Sequence, residues 1–444
     1  MPTGPIAYHG ALLHFKDDPG SGRDPGRAME FYPDGLLVVR GGRIESVGDR
    51  RALKPWLTPD TLVVDYGDKL IFPGFVDTHI HYAQTDIIAS YGTELLDWLE
   101  RFAFPAERAF ASATHGREVA DFFLKELLRN GTTTAMVFAT VHRESVDAIF
   151  AAAKEARMRI IAGKVMMDRH CPEWLRDTPA SSYEDSKAMI EQWHGKDRIA
   201  YAVTPRFAPT SSEAQLEVCR RLADEHPSVF IQSHLAENHA EVAWMKELFP
   251  TSRSYLDVYE RFGLLRPRAI YAHSIHIDDA DRARMAATGA AASFCPTSNL
   301  FLGSGLFDLG AARDAGVHVG MGTDVGGGLS FNMLRTLAEG YKVVKLAGKT
   351  LSPWRALYLA TLGGARALGL EAQVGSLAPG HDADFVVLDP NATPLMQRRM
   401  ERTTTLEEKL FALMMLADDR AIAATYVMGE CAHGQPSAAV RHVR

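Results

Sequence analysis

The sequence predicts an α/β fold: a (β/α)8 TIM barrel with a small β-sandwich domain built from both chain ends. Three observations lead there. Eight apolar, β-branched runs alternate with stretches of helical periodicity through the middle of the chain, as in a parallel sheet covered by helices. Eight such units over about 250 residues are the size of a closed barrel. The two ends read instead as short strands and turns, and two strand-rich segments that cannot each close a core are expected to pair with each other. The expected division is 1–71 for the N-terminal part of the sandwich, 72–378 for the barrel and 379–444 for the C-terminal part. An open doubly wound sheet is the competing architecture, but no Gly-x-Gly-x-x-Gly links a first strand to a helix.

In chain order, 35–40, the turn Gly41-Gly42 and 43–47 form a hairpin pattern, and 61–66 is another strand. The tract 17–27, rich in Gly, Pro and charge, reads as a loop. The barrel strands are expected at 71–81, 132–138, 159–167, 198–204, 229–234, 269–273, 291–295 and 317–324, with helices such as 118–130, 145–156 and 214–225 between them. Strands at 383–389 and 422–428 return to the terminal domain.

Composition narrows the function. The 444 residues carry 48 Lys and Arg against 55 Asp and Glu, a net charge of −7, which argues against a general nucleic-acid or anionic-membrane binder. No stretch approaches the ~18 apolar residues of a membrane span. The start, Met1-Pro2-Thr3-Gly4-Pro5, lacks a basic segment followed by an apolar run, so no secretory signal is expected. Cys171, Cys219, Cys295 and Cys431 are far apart and form no Cys-x-x-Cys pair. They read as core residues of a protein in the reducing cytoplasm rather than as a disulfide framework or zinc ribbon.

Histidine carries the chemistry. The first barrel strand ends Asp77-Thr78-His79-Ile80-His81, and residues two apart on a strand share a face. The two imidazoles therefore aim at one point, half of a zinc or iron site. The fifth strand ends at His234 and is followed by Glu237, the sixth ends at His273, and the eighth ends Gly322-Thr323-Asp324. All fall at the C-terminal ends of strands, where barrel enzymes place their sites. Three histidines with one carboxylate form an open, catalytic set that leaves room for a water, and a divalent ion makes such a water a nucleophile near neutral pH. Glu237 is placed to move a proton, as a general acid and base. His170, His194, His226, His239, His276 and His318 are left outside the site.

The runs Pro73-Gly74-Phe75-Val76-Asp77-Thr78-His79-Ile80-His81, Ser233-His234-x-x-Glu237, Ala272-His273 and Gly322-Thr323-Asp324 resemble the amidohydrolase superfamily of metal-dependent hydrolases. Longer runs resemble the guanine deaminase family within it: 73–84, 95–99, Phe104-Pro105-Ala106-Glu107, 130–134, 203–207, 233–238, 295–300, 322–328 and 360–365. The resemblance covers about residues 70 to 430. It implies one zinc ion per subunit held by His79, His81, His234 and Asp324, with His273 orienting the water. Glu237 would protonate ring atom N3, and Asp324 would help take the water's proton. The resemblance also implies a homodimer and a free purine substrate, with no nucleic-acid or membrane partner. Many superfamily members carry a carboxylated lysine on the fourth strand; here that strand ends Thr204-Pro205-Arg206, and Lys164 on the third strand reads as structural.

The pocket residues can be read physically as well. Arg206 offers a donor fork to a carbonyl such as O6 of guanine, or an ordinary rim salt bridge. Phe207 can lie against a planar base, or simply pack. Gln84 can donate to one ring atom and accept from another. His234, Glu237 and Asp324 complete the substrate-facing set. Residues 94–108, rich in Leu, Trp and Phe, fall above this rim and resemble a lid helix. The expected reaction is hydrolytic deamination of guanine to xanthine and ammonia. A related hydrolase of another heterocycle (pterin, 8-oxoguanine or triazine) would use the same metal set. A non-catalytic scaffold on this barrel would be expected to have lost ligands.

Overall fold

A computed structural model describes residues 4–22, 24–92, 94–434 and 440–442. The expected features at Met1–Thr3, at Arg23 in the loop tract, and at 435–439 and 443–444 of the C-terminal segment lie outside the described residues. Among these residues no helix is long and apolar enough to cross a membrane.

The N-terminal segment supplies β1 (Ile6–Phe15), β2 (Met29–Arg40), β3 (Arg43–Asp49) and β4 (Leu62–Pro73). The barrel strands are β5 (Phe75–His81), β6 (Thr132–Phe138), β7 (Arg159–Gly163), the two-residue β8 (Val165–Met166), β9 (Ile199–Pro205), β10 (Phe230–Leu235), β11 (Ala269–His273), β12 (Ala291–Phe294) and β13 (Val319–Met321). The C-terminal segment returns β14 (Phe385–Leu388), β15 (Ile422–Val427), β16 (Glu430–Gly434) and β17 (Val440–His442).

Both ends do meet in one sheet, ordered β16-β15-β14-β4-β1-β2-β3 with β17 on β4. The junction is the antiparallel pair β4 and β14, with Phe385 opposite Pro73. Strict alternation buries Tyr8 and Leu12, Leu37 and Val39, Val64 and Tyr66, Phe385 and Val387, and Ala424 and Tyr426 in one core under this sheet. Leu13, Phe15, Phe72, Val386 and Leu388 face the other way and join the main core shared with the barrel. The Gly41-Gly42 turn has both φ angles positive, at 59° and 80°, which is what a two-residue hairpin loop requires. The central β1 and the edge strands β16 and β17 are additions to the strands read from the sequence.

The barrel strands run parallel in the order β5-β6-β7-β9-β10-β11-β12-β13. Between β13 and β5 the closure is made at the rim: Asp324 N–H donates to the His79 carbonyl at 2.9 Å and His81 N–H to the Val325 carbonyl at 2.8 Å. Below them Thr78 Oγ1 donates to the Met321 carbonyl at 3.0 Å. The lower interior is packed by Val76, Met136, Ile161, Ala202, Phe230, Ile270 and Ala291 against Ala365 and Leu368, so the barrel is a filled core with its working face at the other end.

Two expected strands are divided. The run 71–81 is β4 and β5, with Gly74 between them. Pro73 has no N–H to continue a ladder, and a Cβ on Gly74 would fall 2.2 Å from Thr133 Oγ1, so the chain passes from one sheet to the other only as glycine. The run 159–167 breaks at Lys164, whose ammonium is buried and paired with Asp177.

Candidate active site

The site is assembled at the C-terminal ends of β5, β10, β11 and β13. On β5 simple alternation is broken. Asp77 pairs with Ala135 of β6 but Ile80 pairs with Val137, so three steps on β5 match two on its neighbour. This bulge lets Val76 and Thr78 point inward low in the barrel and His79 and His81 point inward at the rim, while Ile80 packs outward in the main core. The buried Asp77 carboxylate accepts from the N–H groups of His79 and Thr323, each at 3.1 Å, and from the Thr323 hydroxyl. It clamps the two ligand-bearing strands together from below.

The ligand atoms converge. His81 Nε2 lies 3.2 Å from His79 Nε2 and 3.2 Å from His234 Nε2. Asp324 Oδ1 lies 3.2 Å from His79 Nε2 and 3.4 Å from His81 Nε2. A tetrahedral ion bound at about 2.0–2.1 Å sets its ligand atoms about 3.3–3.4 Å apart, so these spacings fit one divalent ion. Among the described residues, the groups of three or more candidate ligand atoms lying within 4.8 Å of one another are His79-His81-His234 and His79-His273-Asp324. The structure thus brings together all four expected ligands and His273 beside them. None of the six histidines set aside joins these groups; His276 instead bonds the Ser304 carbonyl at 2.9 Å.

The surroundings prepare the donors. His234 Nδ1–H donates to the Arg206 carbonyl at 2.7 Å, which leaves Nε2 with its lone pair toward the point where the candidate ligand atoms converge. Burial, reinforced by the neighbouring imidazoles, pushes His81 and His234 well below the ordinary histidine range, and burial lowers His79. All three are neutral, ligand-competent rings near pH 7. Asp324 goes the other way. Burial would raise it, but the imidazoles around it, His79 foremost, hold it well below the carboxylate range.

Glu237 is buried, and burial pushes its carboxyl up to about 7, the Asp324 charge adding to this while His273 opposes it. That places it where a group can both take and give a proton at neutral pH. Ser304 Oγ donates to its Oε1 at 2.8 Å, and His273 Nε2 lies 3.3 Å from its Oε2. Burial alone would lower His273, but the Glu237 and Asp324 carboxylates together outweigh it and raise it. His273 Nδ1–H donates to Asn299 Oδ1 at 2.8 Å. Ala236, His273 and Asp324 have positive φ angles of 48°, 67° and 50°. Non-glycine residues hold that conformation when their surroundings dictate it, and each lies at a strand end that turns a side chain over the rim.

The pocket above the ligands is walled by Gln84, Arg206 and Phe207 and roofed by Leu95, Trp98 and Leu99. The roof belongs to a continuous helical segment, Leu95–Trp98, Leu99–Ala103, Phe104–Arg108 and Ala109–Ala111, whose second stretch is a π-helix. Such single-turn widenings recur at functional sites. Phe207 is buried and meets Trp244 edge-on at 6.3 Å. Arg206 is 2% exposed, and its Nη1 donates to both Glu107 oxygens at 2.8 Å. A salt bridge and a pocket position are therefore both true of it. The sequence reading missed the roles of Glu107, Asn299, Ser304 and Glu241. Glu241 accepts from the Glu237 N–H at 2.9 Å and the Asn238 N–H at 3.2 Å, fixing the loop that carries Glu237. Glu107 had one signal, a lone carboxylate in the apolar run 102–107, and Glu241 another, its place three residues after Asn238 as in a helix capping box; Asn299 and Ser304 had none in their spacing.

Comparison with known proteins places this geometry in context. Residues 70–432 match the amidohydrolase family. The chain is 52% identical over 403 residues to the guanine deaminase of Escherichia coli K12, covering 90% of this chain and 92% of that one. The solved structure of E. coli guanine deaminase superposes with a TM-score of 0.94 at 48% identity, over 97% of this chain and 100% of that one. A guanine deaminase from C. acetobutylicum, solved with guanine bound in its active site, superposes with a TM-score of 0.86 at 29% identity, over 96% of this chain and 99% of that one.

Proposed function

The chain belongs to the amidohydrolase family and, within it, to the guanine deaminases, and from that premise we propose that a single zinc ion on His79, His81, His234 and Asp324 serves the hydrolysis of guanine to xanthine and ammonia. The observation that carries this reading is the 3.2–3.4 Å spacing of the ligand atoms beside a buried Glu237 and below a pocket walled by Arg206 and Gln84. Three nitrogens and one carboxylate oxygen suit zinc. When bound, the metal supplies Lewis acidity and makes water a competent nucleophile near neutral pH.

The protein's own groups do the rest. Arg206 donates to the carbonyl O6, Gln84 meets the ring's polar edge and Phe207 lies against the base. Glu237 delivers a proton to N3 as C2 becomes tetrahedral. His273 orients the attacking water and Asp324 accepts its proton. The amino group takes up the proton removed from the water and leaves as ammonia, while the C2 hydroxyl returns its proton to Glu237 as the carbonyl forms, so water is consumed and xanthine remains. Leu95, Trp98 and Leu99 keep bulk water out, which strengthens each of these polar contacts. The same reading takes the enzyme as a cytoplasmic homodimer that acts on the free base.

The test is turnover by zinc-loaded protein of guanine, adenine, cytosine, 8-oxoguanine, pterin and a triazine, with ammonia and ring product both quantified. Xanthine and ammonia in equal amounts from guanine are expected. Turnover of another ring with none of guanine would overturn the substrate assignment.

A further inference from the structure

Resting on the reading that the pocket takes a 6-oxopurine, we infer that Glu107 is a positioning residue for that ligand, dictating which hydrogen-bonding groups of Arg206 and Gln84 face it. Glu107 is 1% exposed. A carboxylate so deeply buried is tolerated only with strong partners. Its partners here are both base-recognition side chains. Its two oxygens take the same Arg206 nitrogen, Nη1, at 2.8 Å each, and Oε1 also takes Gln84 Nε2 at 3.3 Å.

The consequence for Arg206 follows from counting donors. The guanidinium has five N–H groups in a rigid fork. Glu107 occupies the Nη1 end, and no described residue accepts from Nε or Nη2, while the side chain lines the pocket. Three N–H groups are left over, one on Nε and two on Nη2, and they are the ones free to meet a carbonyl oxygen. The Phe104 ring, 5.2 Å from the guanidinium carbon, backs the fork from the same helical segment.

Gln84 is fixed in the same way. An amide has two orientations that interchange oxygen and nitrogen. Gln84 Oε1 accepts from the Gly326 N–H at 3.2 Å, and Nε2 donates to Glu107 at 3.3 Å and lies 3.3 Å from His81 Nδ1. Exchanging them would set an oxygen against a carboxylate and an NH2 against an N–H. Glu107 comes from the helical segment over the pocket, whereas Arg206 and Gln84 come from the barrel rim. Recognition of the oxo group is therefore completed by the segment that covers the base.

The experiment compares wild type, Glu107→Gln, Arg206→Ala and the double variant. Hypoxanthine, which keeps the oxo group, and purine, which lacks it, serve as competitive inhibitors of guanine turnover; urea unfolding checks each fold. Glu107→Gln is expected to weaken hypoxanthine about ten-fold or more and purine far less, with kcat for guanine held within about threefold. In the Arg206→Ala background the same change alters the ratio of hypoxanthine to purine affinity by less than about twofold, because the reading of the oxo group acts through the guanidinium. Should Glu107→Gln fail to fold, Glu107→Asp, which keeps the charge but shortens the reach, is expected to weaken hypoxanthine selectively. Equal loss of both inhibitors, or none, in the folded variant overturns the inference. If Arg206→Ala spares hypoxanthine, the reading of the pocket falls and the inference with it. If Arg206→Ala weakens hypoxanthine and Glu107→Gln does not, only the role of Glu107 falls.

Discussion

The backbone N–H of Asp324 donates to the carbonyl of His79 at 2.9 Å, so a bond that closes the barrel joins two residues whose side chains meet at the candidate metal site. Their ligand atoms, His79 Nε2 and Asp324 Oδ1, stand 3.2 Å apart. First and last strands are thus locked at the point where the ion would sit, so the bond that closes the barrel also fixes the spacing of two ligands.

This separates fold from metal binding at Asp324. Replacing Asp324 by Asn keeps the backbone bond and most of the shape but removes the charge. The far-ultraviolet circular dichroism is expected to stay native, while zinc affinity falls by more than the roughly 10–100-fold that loss of a ligand's outer partner costs. Metal analysis after dialysis against graded chelator reads the affinity; undiminished zinc retention would remove Asp324 from the ligand set.

Glu237→Gln preserves size and the contact with Ser304 Oγ, which lies at 2.8 Å, but not proton exchange. Zinc content should match wild type, with kcat for guanine reduced about 10²–10⁴-fold. Parallel zinc quantification and turnover check it, and full activity would exclude the proton-transfer role.

Arg206→Ala leaves the buried Glu107 carboxylate without its cationic partner, with only the Gln84 amide donating to it. Loss of one partner from such a pair costs about 3–5 kcal/mol of stability. Adding Glu107→Gln removes the stranded charge and should restore much of that loss. Urea denaturation of both proteins reads the difference, and equal midpoints would show that the pair does not contribute as its burial implies.

Zinc removal tests linkage. An ion that binds only the native chain stabilises it by about 1.4 kcal/mol for each tenfold excess over its dissociation constant. Chelated protein should lose activity and melt at a lower temperature, both recovering at one zinc per chain. Saturation at two would point to a second ion, and an unchanged melting temperature would argue against native-state binding.

Much of this was legible in the primary structure. Eight barrel strands, pairing of the two chain ends and the rim positions of His79, His81, His234, His273 and Asp324 follow from local periodicity and motif spacing, which short-range sterics impose on any chain. Other features belong to the tertiary structure alone. Alternation puts His79 and His81 on one face, but the bulge against β6 turns that face inward. Spacing could not show that Asp77 clamps β5 to the Thr323 loop. Nor could it show that Glu107, 99 residues from Arg206, holds that side chain, or that Asn299 and Ser304 orient His273 and Glu237. These relations depend on which distant groups share a buried space, where an unpaired charge or donor is costly. Periodicity carries the direction of a side chain along its own strand; only the closed barrel decides what it meets.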